Sequence, residues 1–577
     1  MNPRISAFGA FALAWLPLAA WSQVSSYDPA TRLVTIPSVS VAGSTFRDVT
    51  LLDTGNYVFT LQGAMPQVPA APGIAQYDVT TGVLTLPAVK VGTQTFLDVQ
   101  LKDIGNYTFT LQAASALPAS TQAAVVAFFA QVDAMFATAV PATGAARLAQ
   151  ADACWREDGR TRANAIADWD ARGAEVIARN AYQIGRRTSN IQVTGVRNKT
   201  NPDGSTRQEI DVQVDVTYKD GTMATASKVE LISGSSSGTP GCSTAQTGAG
   251  LRGIGNQRLV ATAVRSRNLR DERYLLASGN PASPAVNYRR SVQWAISDPM
   301  GNADYVIVTG PGPAATVNGV ATQFSLKFLS PRLQRSAPEM QGKTGNFLNW
   351  LDDDNFRYCR GGTVPVAAIA DCIASGPTAF DWGWTTSNPN ASADDGFAGQ
   401  GFVSGGVYRF DVYKDDGWKT VNGHAGRTPI ATYYDTLQSL PHTFVQMAGS
   451  GPSADRFPRL KFGASSLAQV ASNVASATPA PLAVTWNAPS VPPNGLPVAL
   501  AQSWEFHNGA RIGNTAGAFY PAFRNIHYFY PASTALANPA WAVTPKLAEQ
   551  QSKNYTEFSV LYSDRNDVNI ISLVSFQ

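Results

Sequence analysis

Charge is scarce in this chain. Of 577 residues, 44 are Lys or Arg and 41 are Asp or Glu, so only 15% are charged and the net charge is +3. A balance this small for the length argues against nucleic acid as a partner. Histidine is scarcer: His424, His442, His507 and His527 are widely scattered, and no HExxH or paired-cysteine spacing exists, which argues against a zinc centre. There are four cysteines. Beyond the first two dozen residues no apolar run is long enough to span a bilayer, for which about 20 residues are needed.

The opening residues do carry such chemistry in short form. Arg4 precedes an apolar run from Ile5 to Ala20, followed by Ala20-Trp21-Ser22. This reads as a secretory signal peptide, 1–22, cut after Ser22. The expected mature chain is exported to the periplasm, cell surface or medium, with no transmembrane segment after signal removal. An even number of cysteines in an exported chain reads as two disulfides. Proximity within expected domains pairs Cys154 with Cys242 and Cys359 with Cys372, out of three pairings the sequence allows.

What is abundant is repetition and alternation. Residues 27–62 and 77–112 share 20 of 36 aligned positions, fifty residues apart. In each copy apolar residues alternate with polar ones, at Val39/Val41, Val49/Leu51 and Tyr57/Phe59/Leu61 and at their equivalents Val89/Val91, Val99/Leu101 and Tyr107/Phe109/Leu111. Period two predicts half-buried strands, broken at Ala42-Gly43, Asp53-Thr54-Gly55-Asn56, Gly92-Thr93 and Asp103-Ile104-Gly105-Asn106. Two β-meanders are expected, 23–64 and 73–114, each too small to bury a core alone, so that the pair packs together or on a neighbour. They read as a stalk or docking tab.

After Pro118, Ser120 reads as an N-cap, and Val125, Phe128, Phe129, Val132 and Phe136 recur at helical spacing. More helix is expected over 143–153 and 161–184. Ile210, Val212, Val214, Val216 and Tyr218 then alternate into a hairpin ending near Ile232, and a last strand is expected at Gln257–Ser266. Helices followed by antiparallel strands make an α+β domain, 119–275. From 285 on, alternating runs such as Val292/Trp294/Ile296, Phe324/Leu326/Phe328 and Tyr408/Phe410/Val412 predict a β-sandwich, 285–465, with a long insertion 337–400 and a helix-like stretch 430–440. Ala477-Thr478-Pro479-Ala480-Pro481 reads as a linker into a second sandwich, 477–577. The expected class is multidomain and mainly β.

Residues 119–275, with DACWREDG at 152–159, the long hairpin and GIGNQRLVATAV at 253–264, resemble the NTF2-like (cystatin-like α+β) superfamily. The whole order, with two immunoglobulin-like sandwiches after it, looks like a group of uncharacterised exported proteobacterial proteins. The resemblance implies a cone whose mouth holds a ligand; residues expected near it are Trp155, Asp158, Asp168, Trp169 and Tyr182, with Asp211 and Asp215 on one hairpin face. A buried carboxylate with raised pKa beside a tyrosine would abstract a proton next to a carbonyl.

Other motifs fit plainer explanations. Gly234–Gly238 spells the G-x-S-x-G elbow without the helix that must follow it. Gly248–Gly253 spells GxGxxG, but strand rather than helix is expected next. Acidic clusters at Asp352–Asp354, Asp394-Asp395, Asp415-Asp416 and Asp564–Asp567 read as solvated turns, with structural calcium as the alternative; none has EF-hand spacing. No other cofactor and no catalytic residue is assigned. Trp382/Trp384, Tyr433/Tyr434 and His527–Tyr530 are either sandwich core or platforms that stack on sugars. The functional expectation is a non-catalytic binding or structural protein whose partner is a polysaccharide or an envelope protein. The alternative is an isomerase, dehydratase, hydrolase or small-ligand binder using the cone.

Overall fold

A computed structural model describes residues 24–330 apart from 68–74, 93, 138–142, 168, 171–182, 202, 218–222, 237–249, 275–284, 299 and 318–319; beyond 330 it describes 357–359, 379–389, 396–414, 427–448, 456–457, 459–461 and six strands between 482 and 576. It is mainly β, with several sheets.

The two repeats form one sheet. Repeat one contributes β1 (Ser25–Asp28), β2 (Leu33–Val41), β3 (Ser44–Gly55) and β4 (Val58–Gln67); repeat two contributes β5 (Ala75–Asp78), β6 (Val83–Val91), β7 (Gln94–Gly105) and β8 (Thr108–Ala116). The order is β1-β2-β3-β4-β8-β7-β6-β5, and parallel pairings β1–β6 and β2–β5 close it on itself. The closure is pseudo-twofold. Tyr27 lies opposite Val91 and Tyr77 opposite Val41, each pair being the other shifted by fifty residues. Val34, Ile36, Leu51 and Phe59 meet Leu84, Leu86, Leu101 and Phe109 in one core. Exchange of the short first strands thus solves two problems together: neither meander could bury a core alone, and closure gives the terminal strands β1 and β5 a second partner.

The shared residues of the repeat now have reasons. Asp48 and Asp98 adopt positive φ where the β3–β4 and β7–β8 registers slip, which marks a bulge in each copy. Asn56-Tyr57 and Asn106-Tyr107 all have positive φ, the condition for the type I′ hairpin turn, and asparagine tolerates that conformation best among residues with a side chain.

A helix-on-sheet unit follows. α1 (Ala119–Met135) starts one residue before the expected cap: Pro118 holds the N-cap position with no side-chain hydrogen bond, and Ser120 is inside the helix. α2 is Gly144–Arg147, and β9 (Arg156–Glu157) and β10 (Arg160–Thr161) make a hairpin. β11 (Arg187–Thr200), β12 (Thr206–Thr217), β13 (Met223–Gly234) and β14 (Arg252–Gly253) form an antiparallel sheet. Val125, Phe128 and Phe129 of α1 bury against Val193, Ile210, Val212, Val214 and Leu231 of that sheet. Val24, Ala88, Leu97 and Leu117 belong to the same core, so the closed sheet and this unit are packed together.

The expected last strand of this unit goes elsewhere. β15 (Ala261–Tyr274) pairs with β16 (Ala285–Ser297), and in parallel with the final strand β29 (Val568–Phe576). Between them in sequence lie β17 (Tyr305–Val317), β18 (Val320–Leu329), β19 (Arg357–Cys359), β20 (Ala379–Thr386), β21 (Gly406–Tyr413), β22 (Ala431–Leu437), α3 (Phe444–Ala448), β23 (Arg459–Lys461), β24 (Leu482–Asn487), β25 (Gln502–His507), β26 (Tyr528–Tyr530), β27 (Trp541–Val543) and β28 (Thr556–Ser563). One sheet runs β20-β16-β15-β29-β28-β25-β26, a second β19-β18-β17-β21-β22 and a small third β23-β24-β27.

Trp294, Val264 and Val292 from the first sheet and Val306, Phe328, Tyr408 and Phe410 from the second share a core, which makes the two sheets one sandwich. Its pairings cross both expected boundaries, at 275 and 477, because long-range strand pairing is decided by which faces bury together and not by adjacency in sequence. Two further expectations are corrected. The helix-like stretch 430–440 contains a strand, β22, paired along its length with β21. The span 337–400 supplies β19 and β20, which pair with β18 and β16.

Candidate functional site

Ionisable groups concentrate where the helix-on-sheet unit meets the sandwich. Asp158 (φ 47°) and Gly159 (φ 84°) turn the β9–β10 hairpin, as DG does in a type I′ turn. A Cβ on Gly159 would collide with the Leu259 carbonyl, so the segment 253–259 lies directly against this turn. Asn256 is the hub. Its Oδ1 accepts from the Asp158 and Arg258 amides, both at 3.0 Å, its Nδ2 donates to Asp158 Oδ1 at 2.8 Å, and its own amide donates to Glu157 Oε2 at 3.0 Å.

Arg258 carries the network across to β22. Its Nη1 meets Asp435 Oδ1 at 3.0 Å, and its guanidinium lies 5.1 Å from the centre of the Tyr433 ring. Tyr433 Oη accepts from the Leu259 amide at 2.7 Å, and Thr262 donates its hydroxyl to Asp435. Burial pushes Glu157 up to about 8, with the neighbouring Asp158 adding to it, and burial likewise raises Asp158. Burial alone would lower Arg258, but the Asp435 carboxylate outweighs it and the guanidinium is held charged. Donors and acceptors here satisfy one another within the chain. Chemically this is a joint between units.

The residues expected at the cone separate. Trp155 is buried with Leu148, Ala151 and Ala165, and Trp169 is buried with Phe136, the Arg147 guanidinium 4.8 Å from its ring centre. Asp158 belongs to the joint. Asp168 and Tyr182 lie outside the described residues. A small pocket does open beside α1, lined by Phe128, Val132, Met135 and Phe136 and by Arg147, Leu148, Gln150, Ala151, Gln183 and Arg186. Neither tryptophan lines it; they pack behind its wall. Arg186 stands 3.3 Å from Asp133, which also accepts from the Thr188 amide at 2.6 Å and hydroxyl at 2.8 Å. Asp211 is held by Arg197 (Nη2 to Oδ1, 2.8 Å), and Asp215 accepts from Asn190 at 3.1 Å.

Cys154 is engaged in a disulfide, and no described cysteine is free. Cys242 and Cys372 lie outside the described residues, as do His424, His527 and the four acidic clusters, save isolated residues of the sequence around them. His442 is buried, with its backbone doubly bonded to the Asn268 side chain (3.0 and 2.8 Å). Among the described residues no group of three or more His, Cys, Asp or Glu is placed to hold a metal ion. The GxGxxG stretch ends in strand β14, where Arg252 makes a buried ion pair with Asp152 at 2.6 Å. Trp382 and Trp384 are half-buried against the sandwich core, their rings 6.2 Å from Phe324 and 4.4 Å from Phe397.

Large side chains are displayed at the closed sheet instead. Tyr57 is 70% exposed and Tyr107 73%, each at the tip of its type I′ turn. The two turns flank the β4–β8 seam, where Phe59 faces Phe109, Thr60 faces Thr108 and Val58 faces Thr110. The Leu61 amide donates to the Tyr107 carbonyl at 2.9 Å and the Leu111 amide to the Tyr57 carbonyl at 3.0 Å, tying each turn to the other repeat's strand. Beneath them Tyr27 Oη donates to Asp53 at 2.8 Å and Tyr77 Oη to Asp103 at 2.7 Å, while the same carboxylates accept from the Gly55 and Gly105 amides. The sequence marked Tyr27/Tyr77 and Asn56/Asn106 as shared but offered no signal for the seam, which exists only after the repeats interlock.

Comparison with known proteins adds little. No family model matches the chain, and no curated protein matches it. A solved structure described as "Structural insight into host cell surface retention of a 1.5-MDa bacterial ice-binding adhesin" is similar at 10% identity and a TM-score of 0.12, covering 64% of this chain and 73% of that one. A likeness of that size carries no argument about fold or function.

Proposed function

We propose that this is an exported, non-catalytic binding or structural protein of the bacterial envelope or surface, which recognises a glycan or a protein partner through the exposed face of its closed repeat sheet. The observation that supports this reading is the contrast between its two most organised regions. The carboxylates and the Arg258 guanidinium of the Asn256 network are engaged by internal partners, whereas Tyr57 and Tyr107 stand exposed on turns whose carbonyls are tied to the other repeat's strand. Exposed aromatics on a fixed scaffold are the usual anchors of a recognition surface.

The finer fold reading belongs to the same proposal: the helix over an antiparallel sheet supports an NTF2-like unit, and two facing sheets with one core support an immunoglobulin-like sandwich. Export rests on the signal-like first 22 residues, and the Cys154–Cys242 and Cys359–Cys372 pairings on the export that follows. Binding of the purified chain to an array of glycans and envelope proteins tests the reading. Retention by no member of the array overturns it.

A further inference from the structure

Resting on that reading, and going beyond it in naming the ligand class, we propose that the β4–β8 seam framed by Tyr57 and Tyr107 binds an uncharged polysaccharide. The first ground is charge. No Asp, Glu, Lys or Arg occurs from Thr54 to Tyr77 or from Ile104 to Val132, although 15% of the whole chain is charged. These stretches contain both turns and both seam strands. The two carboxylates just ahead of them, Asp53 and Asp103, are each held by a tyrosine hydroxyl and a backbone amide. The nearest cations are single residues at the rim, Lys102 opposite Thr110 of β8 and Arg32 beside Asp53, not the basic stripe that an acidic polymer needs. A neutral ligand is the electrostatic complement of the uncharged seam and turns between them.

The second ground is the kind and spacing of the groups displayed. Sugar rings present apolar C–H faces and hydroxyl edges. Exposed tyrosine rings suit the first, and the hydroxyls of Thr60 and Thr108 with the amides of Asn56 and Asn106 suit the second. Tyr57 pairs with Leu111, four residues along β8 from Tyr107, so the two tyrosines stand roughly 13 Å apart at about 3.3 Å per residue. That is a span for several sugar units of one chain. The pseudo-twofold relation places one tyrosine at each end of the seam, so a chain long enough to reach both gains avidity from the second.

Co-sedimentation of the full chain with insoluble cellulose, chitin and a β-1,3-glucan, with alginate beads as the acidic comparison, tests this. The expected result is retention by at least one neutral polymer that high salt does not reverse. Tyr57→Asn and Tyr107→Asn, chosen because asparagine accepts positive φ, should each weaken retention about tenfold, and the double variant should abolish it. Tyr57→Phe with Tyr107→Phe should keep most of it. Thr60→Glu, which puts a charge on the outer face of the seam, gives the same readout should the double variant fail to fold. Retention that survives both the double variant and Thr60→Glu, retention on alginate alone, or no retention by any neutral polymer overturns the proposal. Capture of an envelope protein through this face would also overturn it while leaving the broader binding reading standing; silence on every glycan and protein probe removes both.

Discussion

Phe59 faces Phe109 across the β4–β8 seam, and the two are the same position of the repeat, fifty residues apart. Both are buried in the core of the closed sheet, and the pseudo-twofold axis passes between them. Because each lies in an equivalent environment, truncating either should cost about the same. Phe59→Ala and Phe109→Ala are expected to destabilise the closed sheet by roughly 3–5 kcal/mol each, and to differ by less than about 1 kcal/mol. Urea denaturation of the two variants checks this; a large asymmetry would mean that the halves do not share one core. The double variant should depart from the sum, since contacting residues couple.

Gly159 turns the β9–β10 hairpin at φ 84° under the Leu259 carbonyl. Gly159→Ala would need both an unfavourable backbone conformation and a shift of segment 253–259. A loss of about 2–4 kcal/mol is expected. Gly43→Ala, at positive φ in open space, should cost only about 1 kcal/mol. Thermal melts of the pair separate collision from conformational strain.

Glu157 gives the chain a pH dependence. Its pKa rises from an ordinary 4.5 to about 8 on folding, chiefly through burial. Between those values the folded state holds a proton that the unfolded state releases, so stability falls as pH rises from about 4.5 to about 8. After allowance for its partial exposure, the fall is expected to be on the order of 1–2 kcal/mol. Glu157→Gln keeps an acceptor for the Asn256 amide and removes the titration. Melting temperature against pH should therefore slope downward in the parent and be flatter in the variant, whose gain is largest near pH 8.

Arg252 and Asp152 form a buried ion pair that also fixes the Cys154 amide and the Gly234 carbonyl. Arg252→Met leaves the Asp152 carboxylate buried without its counter-charge, and a loss of about 3–5 kcal/mol is expected. Arg252→Met with Asp152→Asn should recover part of it. Denaturation midpoints of the single and double variants decide the matter.

Local patterns were legible wherever one side of an element faces a core and the other faces water. The alternation of Ile210, Val212, Val214 and Val216, the helical spacing of Val125, Phe128 and Phe129, and the turns at Ala42-Gly43 and Asn56 each map onto a strand, a helix face or a hairpin. Asp158 beside Gly159 is turn chemistry, but its place at the joint leaves no mark in sequence, because Asn256 reaches it only in space. Trp155 and Trp169 illustrate the opposite problem: a tryptophan expected to line a cavity looks the same in sequence as one packed behind the wall.

Composition fixes the scarcity of charge, and residue-by-residue periodicity and turn chemistry dictate the repeat, the mainly β character and the helix beside antiparallel strands. Tertiary structure alone decided that β1 and β5 would cross between repeats, that β15 would leave its expected unit to pair with β29, and that 431–437 would be strand. Parallel pairing between distant segments leaves no local mark, because its energy comes from faces buried together and edges closed, quantities that no single segment carries.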